Sequence, residues 1–560
     1  MPRFAPLLLL VAGGLGAGCG DGSGGYAGAG VGRIDGGGGG GGATAGGDGA
    51  AGDGAGGAAG ASGDLVTGVR VFSGTATMLF NGPSCTQEAG AAGDRWCAFV
   101  TFTDATMAAR SLYVFNVSRV ASGVEVGCGT GGGPTSADCL LLTSDLGVDV
   151  LGPTLHGTFF QGDTLVYHDH ARAPYVWRPG MTSGRLLATV AAGEDAVFCT
   201  PAPIGTAVLC VLLPPTQPDP NIAVADLLIG KADGASEPLL SVADTVIVEN
   251  AADAGLRPRF GFGFPPGPGD HVAWTSRDGA TGPETLKMQR AGDPASKVTI
   301  ASDVHEWLVS PDATRWFWLR AIDGTTGVGT LQTAPFPSGA NPTNVRADVV
   351  DYNVVTSNGK TVVALTGGRA LVAIADPVTA ASELVLDPEV QTLLPLAAGG
   401  YVAYVKNRFN ANFGDLYVKR ADGTETCAVE PTGQVPLRSV SFVPNAGAIL
   451  WARSKVDGFE AHYTRLWDCN RMPFATDITL LASIGHERVL FMDTFDDAAG
   501  SGTLRFRAVG NGNTLSTETP IPIADHVDSY TITGPAPDTL LYTVNTGGKN
   551  DGVYVRWFVD

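Results

Sequence analysis

The feature that most constrains the fold is a short strand-and-turn pattern that recurs along the chain. It is clearest in GDLYVKRADGTETC, Gly414 to Cys427, which closely matches ADLLIGKADG near residue 230. From Leu286 onward the equivalent strands are separated by roughly 40 to 50 residues, and before it by roughly 50 to 65. The ten strands lie at Leu112, Tyr175, Leu227, Leu286, Leu331, Leu371, Leu416, His462, Leu504 and Val553. Helical periodicity over a dozen residues is essentially absent.

Each repeat predicts four short strands, of which the second is strongly apolar and aromatic, as in RWFWLR and AILWARS. A sheet of this kind has two faces that it cannot cover alone. Packing such sheets radially around an axis buries both faces of each. The sequence therefore predicts an all-β fold, a β-propeller of about eight to ten four-stranded blades. Two arrangements stay open: one ring of ten, or a ring of seven or eight preceded by a cysteine-rich subdomain, with a split near 250–255.

A propeller ring has to join its two ends. The chain finishes with GVYVRWFVD, which fits the third strand of a last repeat that has no fourth. Near the start of the folded body, DLVTGVRVF (Asp64 to Phe72) fits a strand that belongs to no repeat of its own. We therefore predict that residues 64–72 supply the outer strand of the last blade.

The repeats resemble those of TolB-type β-propellers. The resemblance rests on SPDATRWFWL, SFVPNAGAILWARSKVDG and GDLYVKRADGTETC, and it is best over Arg257 to Arg465. That family has an SPDG-like turn between its first two strands, whereas here Asp312 is followed by Ala313. The resemblance implies the propeller fold but assigns no partner and no catalytic residue. The sequence also contains no G-x-S-x-G, Walker-type or H-E-x-x-H motif.

The N-terminal segment predicts the cellular location of the protein. Residues 1–18 read as a lipoprotein signal peptide, with Arg3 before a short apolar run and LGAGC ending at Cys19, the expected lipidation site. Residues 19–63 are so rich in Gly and Ala that we expect a disordered tether. Residues 64–560 form the propeller. The alternative is an ordinary cleaved signal peptide.

Charge and composition limit the partners. The formal net charge is −20, from 35 Lys and Arg against 55 Asp and Glu, and no basic run is present. Nucleic-acid binding needs clustered basic residues, so we do not expect it. We expect a monomer held on a bacterial membrane by its N-terminal lipid, in the cell envelope, facing either the periplasm or the surface.

Cysteine spacing predicts disulfides. Apart from Cys19, eight cysteines remain, and neighbour pairing is the economical arrangement. The alternatives are a metal site, which favours C-x-x-C spacing that is absent here, and reduced buried cysteines. The expected pairs are Cys85 with Cys97, Cys128 with Cys139, Cys199 with Cys210, and Cys427 with Cys469.

Two sets of residues suggest metal binding weakly. His168 and His170 alternate in YHDH and, with His156 on the preceding strand, could converge on Zn or Cu; solvent-facing polar positions of an alternating strand are the simpler explanation and the one we favour. Asp496, Asp497 and Asp551 could bind Ca²⁺, although Asp-Gly turns need no ion. We expect no cofactor, and we expect the Trp residues of the second strands to be core rather than sugar-binding platforms. These are Trp274, Trp316, Trp318 and Trp451.

Together these features favour a cell-envelope lipoprotein whose propeller binds a protein or a polysaccharide. The alternative is a propeller enzyme, a hydrolase or lyase with its site in the axial funnel. Clustered Asp, His or Arg side chains in the channel would favour the enzyme, and a channel lined by small and apolar residues would favour binding.

Overall fold

The computed structural model describes residues 66 to 558 with internal gaps, the longest being 148–158 and 250–261. The signal peptide, Cys19, the Gly-rich tether and the possible split near 250–255 lie outside the described residues. No helix in the described part of the chain is long and apolar enough to span a membrane.

The described chain is almost entirely strand. The first strands are β1 (Val69–Ser73), β2 (Ala76–Thr77), β3 (Trp96–Phe102), β4 (Arg110–Asn116), the short helix α1 (Val117–Ala121), β5 (Cys139–Thr143), β6 (Phe159–Gln161), β7 (Thr164–His168), β8 (Pro174–Trp177), β9 (Arg185–Leu186), β10 (Asp195–Pro201), β11 (Ala207–Leu213), β12 (Ile222–Lys231) and β13 (Leu240–Glu249). They are followed by β14 (Phe262–Gly263), β15 (His271–Arg277), β16 (Glu284–Arg290), β17 (Asp293–Ser302), β18 (Val304–Val309), β19 (Arg315–Arg320), β20 (Gly329–Pro335), β21 (Thr343–Val354), β22 (Thr361–Thr366), β23 (Leu371–Ala375) and β24 (Ser382–Asp387). The last strands are β25 (Thr392–Ala398), β26 (Tyr401–Asn410), β27 (Phe413–Arg420), β28 (Thr426–Pro436), β29 (Ser441–Val443), β30 (Ala448–Lys455), β31 (Gly458–Arg465), β32 (Arg471–Thr476), β33 (Leu480–Ile484), β34 (Arg488–Asp496), β35 (Ser501–Gly510), β36 (Thr514–Leu515), β37 (Ile521–Thr533), β38 (Asp538–Val544) and β39 (Gly552–Phe558).

These strands form ten antiparallel four-stranded blades, which we number I to X along the chain. Blade I is β2 to β5, blade II β6 to β9, blade III β10 to β13, and blade IV β14 to β17. Blades VII and VIII are β25 to β28 and β29 to β32. Two long strands serve two blades each. The first half of β21 is the outer strand of blade V and its second half the inner strand of blade VI, and β37 joins blades IX and X in the same way.

The core lies between the blades. The described residues form ten clusters of buried hydrophobic side chains, and nine of them are each shared by two blades that follow one another in the chain. The tenth cluster joins the last blade to the first, with Leu541 and Val553 packed with Phe99 and Phe115. Every blade therefore covers both of its faces with neighbours, as expected for sheets that cannot stand alone.

The N-terminal strand completes the last blade. β1 is antiparallel to β39, with Val69 opposite Val555 and Ser73 opposite Gly552. The same cluster that joins blades X and I contains Val71 and Phe72 of this strand. This is the arrangement that the sequence predicts for residues 64–72. It means that the fold is held at this point by non-covalent contacts between the two ends of the folded chain.

Strand order defines two ends of the ring. The turns between strands one and two, and between three and four, lie at one end, which we call the turn end. The loops between strands two and three lie at the other end, together with the connections between blades; we call it the crossover end. β1 begins at the turn end and runs to the crossover end. Just before β1, Thr67 donates its backbone N–H to the carbonyl of Ile523 in blade IX.

Candidate functional site at the closing seam

A polar cluster lies where blade X meets blade I, among otherwise apolar contacts. It consists of Thr77, Asp528, Ser529, Thr543 and Asn545, and we call it the closing seam. Thr77 belongs to β2, the inner strand of blade I. The others belong to blade X: Asp528 and Ser529 to its inner strand β37, Thr543 to β38, and Asn545 to the residue after β38. The hydroxyl oxygens of Thr77 and Ser529 are 3.2 Å apart, which joins the two blades directly.

Asp528 is the centre of this cluster. The Thr543 hydroxyl donates to its Oδ1, and the Ser529 hydroxyl lies 3.3 Å from the same oxygen. The side-chain amide of Asn545 donates to Oδ2 over 2.8 Å. A break in strand register between Val527 and Ser529 is the local cause, because this bulge turns Asp528 toward the hydroxyl groups. All three partners of the carboxyl are neutral.

The electrostatic consequence is a raised pKa. Burial raises the pKa of Asp528 to about 6, and the three hydrogen bonds offset only part of this desolvation. Other buried carboxylates behave differently. Asp387 is bound by the Lys406 ammonium at 2.7 Å and Asp244 by Lys287 at 2.5 Å. Burial acts upward on both of these groups too, but their hydrogen bonds and charge partners hold each pKa below its usual value.

The closing seam departs from the repeat pattern. In blades V to IX, the second-strand position that corresponds to Thr543 is apolar in every case. Each of these residues is buried and lies opposite the first or second paired residue of its inner strand. They are Leu319, Leu365, Val405, Leu450 and Met492. The hydroxyl at this position of blade X is therefore a local feature and not part of the blade architecture.

The inner strands of blades V and VI carry charges at the positions equivalent to Asp528 and Ser529. Blade V has His305 and Glu306, after a register break like that in β37. Blade VI has Val350 and Asp351, again at a register break. The inner strands of blades VII to IX are mainly apolar or small, as in TLLPLAA, SFV and LLASI. In the described chain, no group of three or more His, Cys, Asp or Glu side chains is arranged to hold a metal ion.

The histidines suggested by the sequence occupy different environments. His168 ends β7 and is buried, with only 2% of its surface exposed. His170 is exposed in the turn that follows, so it does not continue the strand as the alternating pattern expects. His156 lies outside the described residues. The structure therefore does not bring the two described histidines to one face.

The acidic loops are explained by turn geometry where they are described. Asp551 accepts hydrogen bonds from the backbone N–H groups of Thr546 and Gly547 at 2.6 and 3.0 Å. Asp496 is paired within the hairpin of β34 and β35, and Asp497 lies outside the described residues. The Trp residues of the second strands are core, as predicted. Trp274, Trp316, Trp318 and Trp451 are all fully buried.

All eight cysteines of the folded body are in disulfides, in the neighbour pairs that the sequence favours. Three bridges lie within single blades, Cys85–Cys97 and Cys128–Cys139 in blade I and Cys199–Cys210 in blade III. Cys199 and Cys210 are directly opposite on β10 and β11. The fourth, Cys427–Cys469, joins the outer strand of blade VII to a turn of blade VIII.

Sequence reasoning missed Asp528. The signal was available: SDVHEW, ADVVDY and DHVDSY share a spacing around a buried valine at Val304, Val349 and Val527. Aligning the three segments places Asp528 at the bulge that starts the inner strand. The hydroxyl and amide partners come from a different strand, so the segment alone does not identify them.

Comparisons with known proteins were made at the level of families, curated proteins and solved structures. No protein-family model matches the chain, and no curated protein matches it. Three similar solved structures are described as a eukaryotic initiation factor, oligopeptidase B from Leishmania major and prolyl oligopeptidase B from Galerina marginata. Their identities are 10%, 12% and 13%, and their TM-scores 0.44, 0.38 and 0.34.

The alignments cover 80%, 69% and 62% of this chain. They cover 96% of the initiation factor but 53% of each peptidase, so the chain spans about half the length of those enzymes. None of the three is described as a TolB-type protein, so that resemblance stays one of sequence. At such identities and TM-scores the likeness says nothing about activity or ligands. The chain is thus an all-β propeller protein that these comparisons assign to no family.

Proposed function

We propose that the protein is a cell-envelope lipoprotein whose tethered propeller binds a protein or polysaccharide partner at the crossover end. One observation carries the choice of end. Thr67, which follows the tether, donates its backbone N–H to the carbonyl of Ile523 on the outer strand of blade IX. This contact lies at the turn end, where β1 begins. A body attached through residues 19–63 is therefore held on the side of the turn end, and the crossover end is the one left for a partner.

The inner strands support binding over catalysis. Where they are described, they carry mainly apolar and small residues, and their charged residues belong to separate blades: His305 and Glu306 to blade V, Asp351 to blade VI and Asp528 to blade X. A catalytic site needs several groups within hydrogen-bond reach of one reacting atom. A surface of mainly apolar and small residues suits recognition of a partner better.

Attachment can be tested through Cys19. Replacing Cys19 by Ser should move the folded body from the membrane fraction to the soluble fraction, because no lipid can then be attached. Continued membrane association of C19S, or a mature N-terminus elsewhere than Cys19 in mass spectrometry, would contradict the lipoprotein part of the proposal.

The binding face can be tested with a matched pair of insertions. Gly324 lies in a crossover-end loop of blade V, and nothing would meet a side chain there within 4 Å. Asn470 is exposed in a turn-end loop of blade VIII. A small folded tag inserted after Gly324 should weaken capture of partners from detergent-solubilised envelopes, and the same tag after Asn470 should not. Equal capture by both proteins, or loss with the Asn470 insertion alone, would exclude the crossover end.

A second candidate function, a hydrolase or lyase acting in the axial funnel, is favoured by one residue. A carboxyl group whose pKa is about 6 suits a general acid near neutral pH, and Asp528 on an inner strand is such a group. Asp528→Asn should then abolish hydrolysis or elimination on a panel of polysaccharides and peptides. Activity that survives this change would remove the argument for an enzyme.

A further inference from the structure

We propose that the closing seam is a proton-controlled joint of the ring. When the Asp528 carboxyl is protonated, blades X and I are held together tightly, and when it ionises the contact between them loosens. This inference does not depend on the proposed partner or on the lipid anchor. It rests on where the carboxyl lies, what it touches and what is absent around it.

The first argument is position. Asn545, which donates to Asp528, also accepts from the backbone N–H of Ala76 at 3.2 Å and donates to its carbonyl oxygen at 2.8 Å. Ser529, which approaches the same carboxyl, lies within hydrogen-bond distance of Thr77. Both groups that reach blade I therefore also contact Asp528. A change at this carboxyl acts directly on the bonds that join the last blade to the first.

The second argument is the lack of a compensating charge. Asp528 contacts neutral groups only, whereas Asp244 and Asp387 each have a lysine partner. The titratable groups nearest to it along the same strand are Asp525 and His526. Asp525 accepts from Thr503 at 2.9 Å, and His526 is exposed.

The loop after β38 contributes no neutralising charge either. Asp551 is bound by backbone N–H groups of its own loop, and Lys549 is exposed. On the side of blade I, the described seam residues Ala76 and Thr77 are uncharged. An ionised carboxylate at this partly buried place would therefore lack a cation, which is unfavourable unless the site opens further to water.

The third argument is that no other described seam from blade V to blade IX is built this way. The residues at the position of Thr543 in those blades are apolar and buried. Where a carboxylate crosses another seam, as Asp387 of blade VI does to blade VII, a lysine ammonium pairs with it, here Lys406 at 2.7 Å. The closing seam is distinguished by a carboxyl group whose hydrogen-bond partners are all neutral.

The sign follows from linkage. The pKa of Asp528 is raised to about 6 in the folded state, against 3.8 for an ordinary aspartate carboxyl. Stability from this group is therefore fully present below pH 3.8 and is lost as the pH rises through about 6. The difference between the two pKa values corresponds to a change of roughly 100-fold in the equilibrium between the closed and the open seam. This change is complete once the pH is well above the folded pKa.

Hydrogen exchange on the intact protein tests the joint. After correction for the intrinsic exchange rate, amides in 69–77 and 552–558 should open roughly 25-fold more often at pH 7.5 than at pH 4.5, because the carboxyl of the open state is already largely ionised at pH 4.5. Asp528→Asn should remove this dependence and keep the seam closed at pH 7.5. The matched control is Asp351→Asn, at the equivalent of Ser529 in blade VI, which should leave the dependence as in the wild type.

Two results would overturn the proposal: exchange at the seam of the wild-type protein that does not change with pH, or a pH dependence that persists in Asp528→Asn. If that variant fails to fold, the wild-type protein decides the matter alone. Carboxyl titration followed by ¹³C NMR of labelled aspartate should then show one group with a midpoint near pH 6, and its absence would reject the joint.

Discussion

Asn545 binds both backbone polar groups of Ala76 through its side chain. The Ala76 N–H donates to Oδ1 over 3.2 Å, and Nδ2 donates to the Ala76 carbonyl over 2.8 Å. The two residues are 469 positions apart in the chain and belong to the last and first blades. The amide thus imitates a strand neighbour at a place where no strand continues, and it satisfies backbone groups that would otherwise be buried without partners.

Replacing Asn545 by Ala should therefore destabilise the ring out of proportion to its size. The change leaves the N–H and carbonyl of Ala76 without their partner and removes a donor from Asp528, so we expect a loss of about 1–3 kcal/mol in the free energy of unfolding. Chemical denaturation measures it. Asn470→Ala, at an exposed position, is the control and should have little effect. Equal effects of the two changes would argue against this role of Asn545.

The pairing of β1 with β39 makes a second prediction. A Cβ at Gly552 would collide with the backbone carbonyl oxygen of Phe72, whereas one at Gly324 would meet nothing within 4 Å. Gly552→Ala should force β1 away from β39 and lower the free energy of unfolding by about 1–3 kcal/mol. Gly324→Ala should be close to neutral. Thermal unfolding compares the two, and a Gly552→Ala protein as stable as the wild type would show that the first strand contributes little.

The fold was largely predictable because its signals are local and repeated. The second strands are recognisable in the sequence from apolar and aromatic runs such as RWFWLR in β19. Its Trp316, Phe317 and Trp318 are fully buried. Each run is followed by turn residues at a nearly constant interval. The strand at 64–72 could be placed by elimination, since the last repeat lacked an outer strand. The number of blades in one ring was less certain, because a sequence does not show which sheets share a core.

The candidate site was not predictable in the same way. The contacts of Asp528 depend on Thr543 and Asn545, which lie on or after the next strand. They also depend on the first strands of the body, which are distant in the chain. The conspicuous YHDH segment was misleading for a related reason. The alternating pattern assumes that the strand continues, but β7 ends at His168 and the chain turns before His170.

Asp387 should show a pH dependence opposite to that of Asp528. Burial acts to raise its pKa, but Lys406, the Glu389 N–H and the Tyr404 hydroxyl together hold the pKa below 3.8. Its contribution to stability is therefore present above pH 3.8 and is lost as the pH falls through the lower folded value.

Asp387→Asn should accordingly cost about 1–3 kcal/mol at pH 7, because it removes a charge-assisted hydrogen bond and leaves the partly buried Lys406 without its carboxylate partner. The difference from the wild type should shrink below pH 3.8. Denaturant titrations at several pH values measure both. Asp422→Asn, on an exposed turn, is the matched control and should change stability little. A constant difference between wild type and Asp387→Asn down to pH 3 would contradict the assignment of the paired state.

The disulfides offer a comparison between a bridge across two blades and a bridge within one. Cys427–Cys469 closes a loop of 42 residues and joins blades VII and VIII, whereas Cys199–Cys210 closes 11 residues between paired strands. In the chain-entropy description, removing the first should cost about 4 kcal/mol and removing the second about 3 kcal/mol.

The matched variants are Cys427→Ala with Cys469→Ala, and Cys199→Ala with Cys210→Ala, compared by guanidinium unfolding without reductant. Their cavity costs are similar because Cys427, Cys199 and Cys210 are almost fully buried. The distinguishing readout is local. Loss of the long-range bridge should raise hydrogen exchange in β28 and β31, on both sides of the contact between blades. Of the two bridges compared, Cys427–Cys469 is the one that links one blade to the next. If exchange rises only within blade VII, the bridge stabilises a strand and not the ring.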